Sequence, residues 1–76
     1  METWLALVGT NGIEHASAVV VGTPEAAVAA AMARARQKYG MDQDWGRWEL
    51  RAELQSHSVE VRTVRFIWAD GALRRP

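Results

Sequence analysis

Cysteine is absent from this 76-residue chain, which excludes disulfide bonds and cysteine-ligated zinc sites. No apolar run is long enough to span a bilayer, because the longest uncharged helical stretch, AAVAAAMA, falls far short of the roughly 20 residues required. The start, METWLALVG, lacks the basic residues and the extended apolar run of a signal peptide. A fold that stands without disulfides suits a reducing compartment, so the sequence predicts a cytoplasmic protein without a membrane segment.

Net charge is also absent, since 9 basic side chains balance 9 acidic ones. No basic residue precedes Arg34. Proteins devoted to coating nucleic acid or anionic membranes need a large positive field, so that class is disfavoured. A chain of this length predicts one domain, residues 1–76, with a thin core and little room for a deep pocket.

Signatures of catalysis, cofactor binding and metal binding are missing as well. The two histidines, His15 and His57, fall in different hairpins without an HExxH pattern and are interpreted as surface residues. Asp42 and Asp44 lack the further oxygen ligands of a calcium loop. The glycine-containing turns match neither phosphate-binding pattern, GxxxxGK[ST] nor GxGxxG. The sequence therefore predicts no catalytic, cofactor-binding or metal-binding residue, and a protein that is not an enzyme.

What the sequence does contain is a strong hairpin signal at Asn11-Gly12. A two-residue turn there places Thr10 opposite Ile13 and predicts a regular register that continues with Val8 opposite His15 and Trp4 opposite Val19. In that register one face carries Leu5, Leu7, Ala16, Ala18 and Val20. The other face carries Trp4, Val8, Ile13 and Val19. Both faces are apolar, so only one of them can be explained by a core.

The segment after this hairpin predicts a helix that begins beyond Thr23, a good N-cap, and ends at Gly40. Its many alanines permit close approach to a sheet. The small side chains Ala16 and Ala18 suit that approach, so we expect the helix to cover the face that carries Leu5 and Leu7.

A second hairpin follows, in which RWELRAEL alternates between apolar and charged residues. Its charged positions, Arg47, Glu49, Arg51 and Glu53, are expected to face solvent. The next strand, VEVRTVRFIWA, changes parity, which predicts a β-bulge near Arg62–Thr63. After a turn at Asp70-Gly71, ALRRP forms either a short tail or an added strand.

These elements predict an α+β fold of two layers, in the order β-β-α-β-β. The four strands would form an antiparallel sheet, ordered 2-1-3-4, with one helix packed on one face. The residues expected to be buried together are Leu5, Leu7, Val20, Val28, Met32, Trp48, Leu50 and Leu54.

The second apolar face of the first hairpin is the main indication of function. Either the tail covers it or it binds a partner, because exposed apolar patches mark interfaces and tryptophan is frequent at binding hot spots. We interpret it as a protein-binding patch formed by Trp4, Val8, Ile13 and Val19, with a second copy of the chain as one candidate partner. The second hairpin would add Arg47, Glu49, Arg51, Glu53, Arg62 and Arg65 to the contact.

The arginines of the second hairpin also support an alternative. This part of the chain combines Trp45, Phe66 and Trp68 with Arg47, Arg51, Arg62, Arg65, Arg74 and Arg75. Sheets that combine arginine with aromatic residues bind single-stranded nucleic acid. Interleaved acidic residues dilute this field, so nucleic-acid binding ranks second.

The stretch SAVVVGTPEAAVAAAMARARQKYG, a strand that runs into an alanine-rich helix, resembles the small phage-borne anti-CRISPR proteins. The resemblance covers most of the chain but concerns size and element order only. The order is similar, more loosely, to that of double-stranded-RNA-binding domains and integrase arm domains. The anti-CRISPR resemblance implies a non-enzymatic inhibitor of a bacterial defence complex in the cytoplasm of the host cell. It assigns no functional residue to this chain.

Overall fold

The chain folds into one antiparallel sheet of five strands with a single helix on one face, an α+β arrangement. The computed structural model describes residues 1–40, 44–55 and 62–76. The strands are β1 (Glu2–Thr10), β2 (Ile13–Gly22), β3 (Glu49–Gln55), β4 (Thr63–Ala69) and β5 (Ala72–Arg74). The helix α1 covers Pro24–Tyr39, and a short 3-10 helix covers Trp45–Arg47. The strand order is β2-β1-β3-β4-β5.

Two tight turns define the hairpins at the edges of the sheet. Asn11 and Gly12 have φ values of 53° and 76°, and Asp70 and Gly71 have φ values of 54° and 73°. Both pairs show the left-handed backbone that a two-residue hairpin turn of type I′ requires. The second turn makes the C-terminal segment a fifth strand, so the prediction of four strands is corrected to five. The tail therefore extends the sheet and does not cover its second face.

Helix α1 begins and ends where its capping residues predict. The hydroxyl of Thr23 accepts a hydrogen bond from the backbone N–H of Ala26 at 3.1 Å, and Pro24 occupies the first turn. At the other end the N–H of Gly40 donates to the carbonyl of Arg36 at 2.8 Å. These caps satisfy backbone groups that the helix cannot pair internally.

The core lies between α1 and the face of the sheet that carries Trp4, Ala6 and Val8. Its other buried members are Ala18, Ala27, Val28, Ala31, Met32, Ala35, Trp45, Leu50, Ala52 and Phe66. The predicted core positions Val28, Met32 and Leu50 are confirmed as buried, and Val20, Trp48 and Leu54 are partly buried against them. Leu5 and Leu7 are wrong as core residues, since they lie partly buried on the opposite face.

A β-bulge in the first hairpin causes this inversion. Gly9 pairs with Glu14, but Val8 pairs with Ala16, so His15 is one extra residue on β2. Because the side chains of a strand alternate with a period of two, a shift of one residue turns the whole strand over relative to the regular register. A Cβ placed on Gly9 would collide with the carbonyl oxygen of Ile13, so this close approach requires glycine.

The extra residue, His15, packs against the C-terminal end of α1. Its Nε2 lies 2.8 Å from the Thr10 hydroxyl and its Nδ1 lies 3.2 Å from the Tyr39 hydroxyl. Its ring centroid is 4.9 Å from that of Trp48. The interpretation of His15 as a surface residue holds only in part, because its ring is partly buried in a small aromatic cluster with Tyr39 and Trp48. His57 lies outside the described residues.

The bulge predicted near Arg62–Thr63 depends on Val59 and Val61, which lie outside the described residues. From Thr63 onward the register is regular, with Thr63 opposite Glu53 and Phe66 opposite Leu50.

Candidate protein-binding face

The side of the sheet opposite α1 is covered by no other element within the described part of the chain. We call it the helix-free face. Strand alternation and the observed register place the following residues on it: Thr3, Leu5, Leu7, Ser17, Val19, Val21, Glu49, Arg51, Glu53, Thr63, Arg65 and Ile67.

One half of the helix-free face is an apolar stripe formed by Leu5, Leu7, Val19 and Val21. Leu5 lies directly opposite Val19 in the β1–β2 ladder. Val19 and Val21 are 63% and 61% exposed, whereas the two leucines are partly buried by their neighbours. Large apolar side chains this exposed, side by side on a sheet, are typical of a surface that binds another molecule.

The other half is a charged stripe formed by Glu49, Arg51, Glu53 and Arg65. Arg51 lies between the two carboxylates, with Nη1 3.5 Å from Glu49 Oε2 and Nε 3.6 Å from Glu53 Oε1. Arg65 lies directly opposite Arg51 on β4 and has no ion-pair partner among the described residues. Like charges directly opposite each other destabilise a sheet, so Arg65 is placed at a cost to stability.

The two stripes meet between β1 and β3. Leu5 is opposite Glu53 and Leu7 is opposite Arg51 in the β1–β3 ladder. The change from apolar to charged therefore takes place across one inter-strand spacing, about 4.8 Å. An apolar patch with a charged border is the usual anatomy of a protein interface.

A shallow depression marks the end of this boundary near the first turn. It has a volume of about 200 Å³ and is lined by Leu7, Gly9, Ile13, Glu49 and Arg51, among others. Drug-sized ligand pockets are typically about 300–1,000 Å³, so this depression suits a single inserted side chain better than a small molecule. Ile13, 63% exposed, forms part of its wall.

The structure brings part of the predicted partner-binding set together on the helix-free face. Val19, Glu49, Arg51, Glu53 and Arg65 share that face. Ile13 lines the depression at the tip of the hairpin, but it pairs with Thr10, which strand alternation places on the side of the sheet that carries Val8. The expected exposure of the charged positions is confirmed for Arg47 and Glu49, while Arg51 and Glu53 are partly exposed.

Other members of that set lie elsewhere. Trp4 and Val8 are each 1% exposed beneath α1, so their assignment to a surface patch is wrong. The bulge is the reason, because it turns this face of β1 toward the helix. Arg47 belongs to the 3-10 helix, where its Nε lies 3.2 Å from Asp44 Oδ2. The guanidinium of Arg62 lies 5.9 Å from the centre of the Trp4 ring. Arg62 is therefore on the helix side of the sheet, and Arg65 is on the helix-free face.

Sequence reasoning missed Leu5 and Leu7 as surface residues. A usable signal was present in Gly9, since an isolated glycine within a strand pattern indicates a bulge or a close backbone approach. Trp4 was a second signal, because the largest side chain of a small domain is favoured inside its core.

Among the described residues, no charged side chain is buried, and no three His, Cys, Asp or Glu lie close enough together to hold a metal ion. Within the same ranges, no helix combines the length and the apolar character needed to cross a bilayer. No family model, curated protein or solved structure matches this chain.

Proposed function

We propose that this protein is a non-catalytic binding module that docks onto another protein through its helix-free face. The observation that carries the proposal is the apolar stripe directly beside the charged stripe. The apolar side chains supply the free energy of burial, about 25 cal/mol for each Å² removed from water. The charged border supplies orientation and selectivity.

The partner surface must be chemically complementary to the helix-free face. Apolar side chains would cover Val19 and Val21, and one side chain would fill the depression beside Ile13. A carboxylate would approach Arg65, which lies opposite Arg51 in the β3–β4 ladder and lacks an acidic partner among the described residues. The partner is therefore a protein with an apolar patch that is bordered by acid.

The specific role that we propose is inhibition of a bacterial defence complex by occupation of its surface, in the cytoplasm of the host cell. The order of elements and the small size support it, through the resemblance to anti-CRISPR proteins.

A phage-infection assay tests this role. Cells with an active CRISPR defence against a phage would express the wild-type chain, Arg65→Glu, or Arg36→Glu. The last variant is a matched charge reversal at an exposed position of α1. The expected result is restored plaque formation with the wild type and with Arg36→Glu, and loss of that effect with Arg65→Glu. If the wild type restores no plaques in any defence type tested, the inhibitor role fails.

Capture experiments separate protein binding in general from nucleic-acid binding, the alternative function. Arg62 and Arg65 lie on opposite sides of the sheet, and Arg51 is held by two carboxylates, so these arginines do not form one basic surface. Tagged wild-type protein and Arg65→Glu would be incubated with host lysate, with and without nuclease. Recovery of a defined protein that survives nuclease and depends on Arg65 supports the proposal. Nuclease-sensitive recovery supports the alternative.

A further inference from the structure

The two edge strands of the sheet differ in how well they resist pairing with a strand from another chain. One edge is β5, which has only three residues, includes Arg74, and is followed by Arg75 and Pro76. Short strands, positive charges and proline all discourage pairing with another strand. The other edge is β2, which has 10 residues and no charged side chain between Ala16 and Gly22. An edge of this length and composition is a template for strand addition.

The outward-facing backbone groups of β2 can be identified from one contact. The Arg34 side chain of α1 donates from Nη1 to the carbonyl oxygen of Ser17 at 3.2 Å, from outside the β1–β2 ladder. In an antiparallel strand, alternate residues direct both backbone groups to the same side. Val19 and Val21 therefore direct their N–H and C=O groups outward as Ser17 does. No strand pairs with them in the described part of the chain.

We infer that two copies of this chain associate by antiparallel pairing of β2 with β2, with Val19 opposite its own counterpart about a two-fold axis. In this register Ser17 lies opposite Val21 of the second copy, and Val21 lies opposite Ser17 of the second copy. All three outward-facing residues of each copy then exchange hydrogen bonds. The Ser17 carbonyl has two lone pairs, so it can keep the Arg34 donor while it accepts a second one.

The side chains on the helix-free face support this register. Leu5 is opposite Val19 within each copy, so the pairing makes one apolar row: Leu5, Val19, Val19 of the second copy and Leu5 of the second copy. The apolar stripes of the two copies become continuous, and Val19 loses exposure on its outer side. The formal net charge is zero, so no net long-range repulsion opposes the association of identical chains.

Pairing of two β2 edges is a separate event from docking of another protein, and neither depends on the other. Edge pairing uses the backbone of β2, whereas docking of another protein uses the side chains of the helix-free face. The pairing would align two helix-free faces on the same side of a ten-stranded sheet, which leaves both available to partners.

Cysteine cross-linking tests the register directly, because the chain has no cysteine of its own. Val19→Cys places two thiols opposite each other, within the Cα separation of about 4.4–6.8 Å that a disulfide spans. Val21→Cys is the matched control, since the two copies of residue 21 would be four positions out of register, roughly 13 Å apart at the rise of a strand. The expected result under mild oxidation is a covalent dimer with Val19→Cys and none with Val21→Cys. A mixture of Ser17→Cys and Val21→Cys should form the mixed dimer.

Sedimentation velocity over a series of protein concentrations measures the association itself. Wild type and Val19→Thr, which keeps the backbone N–H and β-branching, should sediment as dimers. Val19→Pro removes the outward N–H without touching the ladder to β1 and should sediment as a monomer, with its fold checked by circular dichroism. Should that variant fail to fold, Val19→Lys places like charges opposite each other and should also give a monomer. Ile67→Lys, at an exposed position away from the edge, should remain a dimer.

Three outcomes would overturn the inference. The first is a wild-type monomer at every concentration, which would leave the edge to a strand from another protein. The second is a dimer that survives both Val19→Pro and Val19→Lys, which would place the dimer interface away from β2 and from the apolar stripe. The third is efficient cross-linking of Val21→Cys but not of Val19→Cys, which would show a different register.

Discussion

Leu5 and Val19 lie directly opposite each other on β1 and β2, and both side chains point away from α1. Leu50, in contrast, points toward α1 and is 2% exposed. Two leucines of one small sheet therefore occupy opposite environments, which makes them a matched pair for measurements of stability.

Truncation of these leucines should have unequal effects on folding. Leu50→Ala should lower the free energy of unfolding by about 2–5 kcal/mol, because it leaves a cavity in the core. Leu5→Ala should lower it clearly less, since the side chain is only partly buried and solvent can fill the space. Urea unfolding followed by tryptophan fluorescence measures both. Equal losses would mean that the helix-free face is covered in solution.

Trp4 should behave as a core residue. Trp4→Ala should destabilise the monomer by about 3–5 kcal/mol. Its indole Nε1 is buried without a hydrogen-bond partner among the described residues, so Trp4→Phe loses no such bond and should cost much less. Thermal unfolding of the two variants provides the comparison. A Trp4→Ala variant with the wild-type melting temperature would contradict the burial of this ring.

Gly9 should not tolerate any side chain. Gly9→Ala would push a methyl group against the Ile13 carbonyl, a backbone atom that cannot move without breaking the hairpin. We expect loss of the bulge and a large drop in melting temperature. Gly12→Asn is the control, because that turn position has open space and asparagine tolerates its φ of 76°. If the two variants have the same melting temperature, the close approach at Gly9 does not stabilise the bulge.

Arg65 should oppose folding while it promotes binding. Replacement with glutamate removes the repulsion of Arg51 and should raise the free energy of unfolding by about 0.2–1 kcal/mol, the range for cross-strand pairs. Arg65→Thr should fall between the wild type and Arg65→Glu. Chemical unfolding at low and high salt measures the effect, which salt should weaken. A decrease in stability for Arg65→Glu would show that Arg65 makes a stabilising contact in the monomer.

Glu25 and Arg75 should give the protein an acid-sensitive contribution to stability. A hydrogen bond from the Glu25 backbone N–H lowers the pKa of this carboxyl, burial opposes that shift, and the bond and charge of Arg75, 2.6 Å away, add to it. A folded-state pKa below the unfolded one means that the contribution is present above the ordinary glutamate pKa. It is lost as the pH falls through the lower, folded-state value.

Glu25→Gln should therefore weaken the fall in stability over that acidic range, as measured by unfolding at a series of pH values. Arg75→Gln should weaken it in part, and Arg75→Lys, which keeps the positive charge, should preserve more of it. Because both side chains are about half exposed, the effect is small. An unchanged pH profile in Glu25→Gln would rule out this contribution.

Much of the architecture could be predicted from local signals in the sequence. Asn11-Gly12 fixed one turn, Thr23 and Gly40 bounded the helix, and the alternation after Arg47 gave the correct inward face for Leu50. The strand order 2-1-3-4 and the position of the helix on one face are confirmed. These features depend on residues close together in the sequence, whose conformational preferences can be predicted without the rest of the chain.

The candidate site was predictable only in part. The charged stripe followed from strand alternation alone, because Glu49, Arg51 and Glu53 lie on one strand. The apolar stripe was predicted correctly at Val19 but wrongly on β1, because both faces of the first hairpin are apolar and the hydrophobic pattern could not choose between them. A single unrecognised extra residue, His15, turned β1 over relative to β2, so Leu5 and Leu7 occupy the positions predicted for Trp4 and Val8.

The sequence by itself determined the turns, the ends of the helix and the presence of two apolar faces on the first hairpin. Tertiary structure decided which of those faces the helix covers. Trp4, Ala6 and Val8 share one buried cluster with Ala18 of β2 and with Val28 and Met32 of α1. In the bulged register the His15 ring contacts Thr10, Tyr39 and Trp48. The physical reason is that a strand register is selected by packing against residues far away in the chain. No periodicity within one hairpin contains that information.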